Sequence, residues 1–204
     1  MNTAPGPRSA GRKGAAGDGR CPGDPPAYPL KREWGISYSG KASEPPARVG
    51  GFNSIRSFWE LFNSIRPLRS FPVDSTIYCF QHGVAPSWED PANVGGGRWM
   101  YSITDQAAAA TAWQQLYLDL VGEGLDPTSD VVGIVCARRR NYTRFSVWTR
   151  GALELHQREA IITTIGRRLK TGLPPDVKLE YQVHGSDYGA YQFVYDREGL
   201  IIVY

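Results

Sequence analysis

Residues 83–99 read GVAPSWEDPANVGGGRW, and this segment separates two strand-like stretches of the chain. Its prolines and its run of three glycines, Gly95 to Gly97, predict turns. Neither a Gly-Lys-Ser/Thr sequence nor a helix start follows that run, so it indicates a turn before a strand and not a phosphate-binding loop. Trp88 lies in this loop outside any periodic apolar pattern, next to Glu89. A large aromatic residue in such a position favours a binding role.

The adjacent Trp88 and Glu89 have the chemistry that recognition of a cationic purine requires. An indole stacks on a purine ring, and positive charge on the base, as in N7-methylguanine, strengthens the stacking. A carboxylate accepts hydrogen bonds from the N1–H and the N2 amino group of guanine, an interaction that adenine cannot offer. The chemistry of the pair therefore fits a methylated guanine.

Outward from this loop, apolar residues spaced three and four positions apart predict three helices. The first runs from about Asn53, which is the expected N-cap, to Ile65, and Pro67 stops it. The second spans about Asp105 to Val121 and ends at Gly122. The third spans about Leu155 to Leu169. Trp99 and Trp113 lie in strand and helix stripes, and we expect both in the core.

About eight strands are predicted around these helices. Their connections are mostly tight or cross through a helix, which predicts an α+β fold: a mainly antiparallel curved sheet with the three helices packed on one face. In addition to two strands at the C-terminus, the predicted strands are Trp34 to Tyr38, Thr76 to Phe80, Arg98 to Ile103, Val131 to Ala137, Arg144 to Thr149 and Val177 to Val183.

The chain of 204 residues is long enough for one domain and a tail. Residues 1–27 are rich in Gly, Pro, Ala and Arg with almost no aliphatic side chains, and they predict a disordered tail. Residues 28–204 are predicted to form the single domain. No apolar run reaches the length needed to span a bilayer. Three widely spaced cysteines indicate neither a disulfide framework nor a zinc site, which fits a reducing compartment.

The net charge of +3 lies largely in the tail, because residues 1–26 contain four basic and two acidic side chains. The folded part is therefore nearly neutral. A protein that coats nucleic acid needs a broad basic face, and this balance excludes that class. Any contact with RNA is expected to be local and specific.

No set of residues in the sequence predicts catalysis. His82, His156 and His184 fall on a loop, a helix and a strand end, and none has the spacing of a metal ligand. Glu89 and Asp90 are adjacent, so their side chains point in different directions and do not form an acid–base pair. We expect no catalytic residue, no metal, no cofactor and no enzymatic activity.

From Tyr28 to about His184 the sequence resembles the cap-binding translation initiation factor 4E family. The tryptophan, glutamate and aspartate at 88–90, followed by Gly-Gly-Arg-Trp at 96–99, are highly specific to that family. The resemblance implies the family's fold, with the helices on the convex face of the sheet. The other matching motifs are Tyr28-Pro29-Leu30 with Trp34, Phe58-Trp59, Gly83 to Asp90, Leu120 to Glu123, Val147-Trp148-Thr149, Ile165-Gly166-Arg167, Gly172 to Pro175 and Tyr181 to His184.

The resemblance also implies roles for the site residues. Trp88 looks like the family's second stacking tryptophan, Glu89 like its guanine acceptor, and Trp148 like the tryptophan at the N7-methyl group. Arg139 and Arg144 fall where the family binds the triphosphate. Arg98 is a further, indirect contributor. For residues 138–140 the alternative is a solvated basic loop.

One departure concerns the family's first stacking tryptophan. Residues 39–51, where the family has it, contain no aromatic residue. Tyr38 is the nearest candidate, while Trp34 aligns better with a structural tryptophan. Tyr188 and Tyr191 are candidates for contacts with further nucleotides, and a loosely packed hairpin is the alternative there.

A second surface is implied by the first helix. In the family, a tryptophan with aliphatic neighbours on this dorsal surface receives an amphipathic helix from a 4G-type scaffold or a 4E-binding protein. Trp59, Ile55, Leu118 and Pro29 match that surface, and the alternative for Trp59 is core packing.

These observations predict a cytoplasmic, monomeric protein, not bound to membranes, that binds the 7-methylguanosine cap of mRNA and recruits a 4G-type scaffold in translation initiation. The alternative is a partner-regulated adaptor or translational repressor with weak cap affinity. A generic binder of single-stranded RNA, which would show no preference for the methyl group, is a third reading.

Overall fold

The computed structural model describes residues 28–41, 44–125, 129–151, 155–174, 176–185, 192–195 and 200–203. The predicted tail, residues 1–27, lies outside the described residues, as do Tyr188 and Tyr191.

The described residues form one α+β unit, which confirms the predicted fold class. Nine strands make a single sheet in the order β2-β1-β3-β5-β6-β4-β7-β8-β9, and every neighbouring pair is antiparallel. The strands are β1 (Pro29–Ser39), β2 (Ala47–Ser54), β3 (Thr76–Gln81), β4 (Gly97–Ile103), β5 (Val131–Arg138), β6 (Thr143–Thr149), β7 (Leu179–Val183), β8 (Gln192–Tyr195) and β9 (Leu200–Val203). The helices are α1 (Ile55–Ser64), α2 (Gln106–Val121) and α3 (Leu155–Thr171), with a short 3-10 helix at Leu68–Ser70.

The helices pack on one face of the sheet. Alternate strand residues point to opposite faces, so each strand contributes one set of side chains to the core under the helices and the other set to the opposite face. In β3, Ile77 and Cys79 join the core that the helices cover, whereas Tyr78 and Phe80 pack on the opposite face. The core also contains Trp99 and Trp113, as expected from their stripes. The other face carries the smaller cluster of Phe80, Val132, Val135 and Trp148.

The strand missing from the sequence prediction is β2, which pairs with β1 and brings Phe52 opposite Trp34. The sequence pattern does not predict this strand because it contains Gly50 and Gly51, and glycine is depleted in strands. The same glycines allow close packing: a Cβ at Gly50 would lie 2.8 Å from a methyl carbon of Leu61 on α1.

The N-cap of α1 is Ser54, one residue after the predicted Asn53, because the helix begins at Ile55 and the side chain of Ser54 makes the capping bond. The Ser54 hydroxyl accepts the backbone N–H of Ser57 at 3.2 Å, and the Ser57 hydroxyl in turn accepts the backbone N–H of Ser54 at 3.1 Å. This reciprocal capping box fixes the start of the helix.

The other helices match their predictions closely. In α2 the carboxylate of Asp105 caps the start by accepting the backbone N–H of Ala108 at 2.6 Å. Helix α3 lies directly on Trp99, whose Nε1–H donates to the carbonyl of Ile162 at 3.0 Å. A Cβ at Gly166 would lie 2.5 Å from the Trp99 ring, so only glycine permits this approach. None of the helices in the described part is both long and apolar enough to cross a membrane.

Candidate functional site

A cavity of about 500 Å³ lies where β4, β6 and β7 meet the loop that follows β3. Among the described residues it brings together four of the predicted site residues, Trp88, Glu89, Arg98 and Trp148, with His184 beside them. The remaining lining residues are Pro86, Ser87, Gln182, Val183 and Gly185.

Strand register positions the inner side of this pocket. Arg98 of β4 pairs with Trp148 on one side and with Gln182 on the other, so the three side chains form a row across the sheet. Arg98 donates from Nη2 to Oε1 of Gln182 at 3.0 Å, and its guanidinium carbon lies 5.9 Å from the centre of the Trp148 ring. The row therefore places one positive charge at the floor of the pocket.

Trp88 and Glu89 project from the loop between β3 and β4. Trp88 is 54% exposed, which leaves its ring available for stacking. The hydroxyl of Ser87 donates to the carboxylate of Glu89, and this bond, followed by the Glu89 backbone amide, lowers the pKa of that carboxyl. Glu89 is thus ionised at neutral pH and acts only as a hydrogen-bond acceptor.

Two residues that sequence reasoning missed hold this loop. Asn93 is fully buried, and its Nδ2 donates to the carbonyls of Ala85 at 2.9 Å and Ser87 at 2.7 Å. The Asp90 carboxylate accepts the backbone N–H groups of Ala85 at 2.8 Å and Ala92 at 2.9 Å. Asn and Asp commonly bond to nearby backbone in turns, and the Glu-Asp-Pro-Ala-Asn sequence contains that signal.

Trp148 has a different environment from Trp88, since it is only 7% exposed. Phe80 meets its ring edge to face at 5.3 Å, and the ring of His184 lies 4.3 Å away. Its Nε1–H is buried and has no hydrogen-bond partner among the described residues. Trp148 is therefore a nearly buried part of the pocket wall, whereas Trp88 offers an exposed ring.

No role in the site is predicted for His184 from the sequence, but the structure places it in the pocket. Burial, and then the positive charge of Arg98, lower its pKa to about 4. Its imidazole is consequently neutral at neutral pH and adds no second positive charge to the pocket.

A groove of about 700 Å³ adjoins the pocket and shares Arg98 and Gln182 with it. Arg144 lines this groove, on the same face of β6 as Trp148. Arg139 lines neither cavity. Its guanidinium instead donates to the carbonyls of Ser75 at 3.2 Å and Arg138 at 2.9 Å. Arg98 and Arg144 thus line the pocket or the adjoining groove, whereas the Arg139 guanidinium is hydrogen-bonded to backbone carbonyls.

Tyr38 is not a neighbour of Trp88, so the expectation that it supplies the first stacking ring needs correction. It alternates with Trp34 and Ile36 on the face that the helices cover, and its ring lies 5.5 Å from that of Phe71. Trp148 lies on the opposite face. In the described part of the pocket, Trp88 is thus the exposed indole without a second stacking ring opposite.

The predicted dorsal residues lie on three elements: Pro29 on β1, Ile55 and Trp59 on α1, and Leu118 on α2. Trp59 is 37% exposed, as is Leu118, so Trp59 does not belong to the core. The Trp59 ring is supported by Phe58 and Phe62, at centroid distances of 5.0 and 5.8 Å. Pro29 and Ile55 lie together at the start of α1, where Ile55 donates its N–H to the carbonyl of Tyr28 at 2.9 Å.

Comparison with known proteins gives consistent matches. The family profile for eukaryotic initiation factor 4E matches residues 29–193. Eukaryotic translation initiation factor 4E-2 of Schizosaccharomyces pombe is 30% identical over 171 residues, which cover 77% of this chain and 67% of that protein.

Two solved structures are similar in fold as well as sequence. Caenorhabditis elegans eIF4E-3, solved with the 4E-binding protein Mextli and a cap analog, has a TM-score of 0.69 and 31% identity, covering 77% of this chain and 92% of that one. Ascaris suum eIF4E-3, solved with the m7G cap, has a TM-score of 0.70 and 28% identity, covering 79% of this chain and 94% of that one.

The substitution Asn93→Asp tests whether Asn93 holds the loop. It replaces the donating Nδ2 with an oxygen that faces two carbonyl acceptors, at almost unchanged volume. We expect the free energy of unfolding, measured by urea denaturation, to fall by about 1–3 kcal/mol. Asn63→Asp, at an exposed position on α1, is the matched control and should change it little. Equal stabilities of the two variants would contradict the role given to Asn93.

Proposed function

The chain belongs to the eukaryotic initiation factor 4E family, and on that premise we propose that it binds the 7-methylguanosine cap of mRNA in translation initiation. The observation that carries the proposal is the exposed indole of Trp88 beside the ionised carboxylate of Glu89, in a pocket that Trp148 also lines. The m7G cap bound to the similar Ascaris suum protein supports the choice of ligand.

The proposed mechanism begins with the base. Trp88 stacks on methylguanine, and the positive charge of the N7-methylated ring strengthens the contact. Glu89 accepts the N1–H and N2 amino hydrogens, for which its ionised state is the required one. Trp148 contacts the methyl group. Because His184 is neutral, it does not repel the cationic base.

The phosphates follow the basic side chains away from the pocket. Arg98 lies at the floor of the pocket and Arg144 lies along the adjoining groove, so the two can contact successive phosphates. A guanidinium has a fork of donors suited to phosphate oxygens. Arg139 joins them when its bonds to the Ser75 and Arg138 carbonyls are exchanged for phosphate oxygens.

Cap affinity is expected to be lower than that of a protein with two stacking rings. Base–aromatic stacking contributes about 1–3 kcal/mol per base, and Trp88 is the one exposed indole in the described pocket. We further propose that the chain acts by binding and not by catalysis, as a monomer, in the cytoplasm where capped mRNA is translated.

The direct experiment is calorimetric titration of the full chain with 7-methylguanosine triphosphate and, separately, with GTP. Tight binding of the methylated ligand alone supports cap recognition. Equal weak binding of both ligands contradicts it, and would favour the adaptor or repressor reading, in which the dorsal surface dominates.

The variant Trp88→Ala should reduce affinity for 7-methylguanosine triphosphate by roughly 5- to 150-fold, because it removes the stacking ring. Glu89→Gln should reduce it too, since the side chain keeps its shape but loses the charge that strengthens both hydrogen bonds. Trp59→Ala, on the dorsal surface, is the control that should bind the ligand like the wild type. Unchanged affinity in Trp88→Ala would contradict the site assignment.

We also propose that the dorsal surface receives an amphipathic helix from a 4G-type scaffold or a 4E-binding protein. The exposure of Trp59 and Leu118 on adjacent helices in the chain supports this, because large apolar side chains at the surface serve as helix anchors. The complex of the C. elegans relative with Mextli supports the class of partner.

Trp59→Ala should abolish capture of a scaffold-derived helical peptide while the chain is held on 7-methylguanosine resin. Trp59→Phe preserves an aromatic anchor and should retain most of the binding. Fluorescence anisotropy with the labelled peptide measures both variants. Full peptide binding by Trp59→Ala would show that the partner docks elsewhere.

A further inference from the structure

The tip of the hairpin between β5 and β6 is an exposed basic and aromatic surface, of which the proposed cap site uses only Arg139 and Arg144. Residues 131–149 include arginines at 138, 139, 140 and 144, yet contain neither aspartate nor glutamate. Arg139 donates its backbone N–H to the carbonyl of Tyr142 at 2.9 Å, which closes the turn at Arg140 and Asn141. Both turn residues are exposed.

The four arginines divide into two groups by their contacts. Arg138 donates to the carbonyls of Leu68 and Arg69, and Arg139 is similarly tied to Ser75. The Arg138 bonds, which the proposed cap site leaves in place, fasten the hairpin tip to the neighbouring segment. Arg140 and Arg144 instead keep exposed side chains, so the tip presents two cations on an anchored backbone.

Tyr142 completes this surface. Its hydroxyl accepts a hydrogen bond from Nη2 of Arg144 at 3.3 Å, and the Arg144 guanidinium carbon lies 5.4 Å from its ring centre. An aromatic ring next to arginine is the combination that proteins use to bind single-stranded nucleic acid, since bases stack on the ring and phosphates meet the cation.

The hairpin tip lies in line with the cap pocket. Arg144, Ser146 and Trp148 follow one another at two-residue steps and share one face of β6, and Tyr142, just before the strand, contacts Arg144 at the end of that row. The six residue steps from Tyr142 to Trp148 cover roughly 20 Å of extended chain. That distance is longer than a nucleoside. A ligand whose base lies at Trp88 therefore needs its phosphates and the next nucleotide to reach Tyr142.

Charge distinguishes this path from the other side of the groove. Toward β7 the groove is lined by Glu180, Asp176 and Asp105, and Lys178 is paired with Glu180 at 2.7 Å. Phosphates are repelled by those carboxylates, whereas the path along β6 meets only Arg144 and Arg140 among charged side chains of residues 140–148.

We propose that the hairpin tip binds the nucleotides that follow the cap, with Tyr142 stacking on a base and Arg140 contacting a phosphate. This inference rests on the proposed cap-binding function. It extends the bound ligand from the cap alone to the 5′ end of the RNA chain.

The test compares 7-methylguanosine triphosphate with a capped pentanucleotide, titrated into the full chain by fluorescence anisotropy competition. The wild type should bind the pentanucleotide about 10-fold more tightly than the free cap analogue. Tyr142→Ala should bring this ratio close to one, and Tyr142→Phe, which keeps the ring, should preserve it.

Salt dependence tests the phosphate contact separately. Arg140→Gln should leave affinity for 7-methylguanosine triphosphate unchanged and should reduce the slope of log affinity against log salt for the pentanucleotide by about 0.7. Arg167→Gln removes an exposed arginine from α3, on the other face of the sheet, and should change neither quantity.

The outcomes separate this inference from the proposed function. Wild-type binding of the cap analogue with a ratio near one, or a ratio that persists in Tyr142→Ala, overturns the inference and leaves cap binding intact. Failure of the wild type to bind the cap analogue overturns both. An affinity ratio that persists in Tyr142→Ala would also indicate that the following nucleotides bind elsewhere, with Tyr188 and Tyr191 as the next candidates.

Discussion

The alternation of β6 between two faces of the sheet is the constraint on which the site depends. Phe145 and Val147 enter the core under the helices, while Arg144 and Trp148 face the groove and the pocket. A register slip of one residue would exchange the two sets, exposing the apolar pair and burying the arginine. The core therefore fixes the register, and the register places the binding groups.

One side of the pocket is a packed part of the sheet, and the other is a loop held by hydrogen bonds. Trp148 is held by Phe80, His184 and the sheet itself, whereas Trp88 contributes little to the core and remains exposed. Asn93 orders the loop that presents Trp88 and Glu89. A preorganised site loses less conformational entropy when a ligand binds, so we expect this polar anchor to increase affinity without touching the ligand.

Periodicity predicted the helices and eight of the strands, because long apolar stripes are strong signals. It did not reveal β2, where Gly50 and Gly51 weaken the strand pattern, or the buried amide of Asn93, which resembles any loop asparagine. The motif predicted the residues of the pocket but not the tethering of Arg139, which depends on a neighbouring segment distant in sequence. The face of Tyr38, by contrast, follows from its alternation with Trp34 and Ile36.

We propose that the ligand contacts two of the six tryptophans, Trp88 and Trp148, which line the same pocket. Nuclear magnetic resonance of the ¹⁵N-labelled indole groups during titration with 7-methylguanosine triphosphate tests it most directly. The Trp88 and Trp148 signals should shift while those of Trp59 and Trp113 stay in place. Shifts at Trp59 or Trp113 with Trp88 and Trp148 unchanged would contradict it.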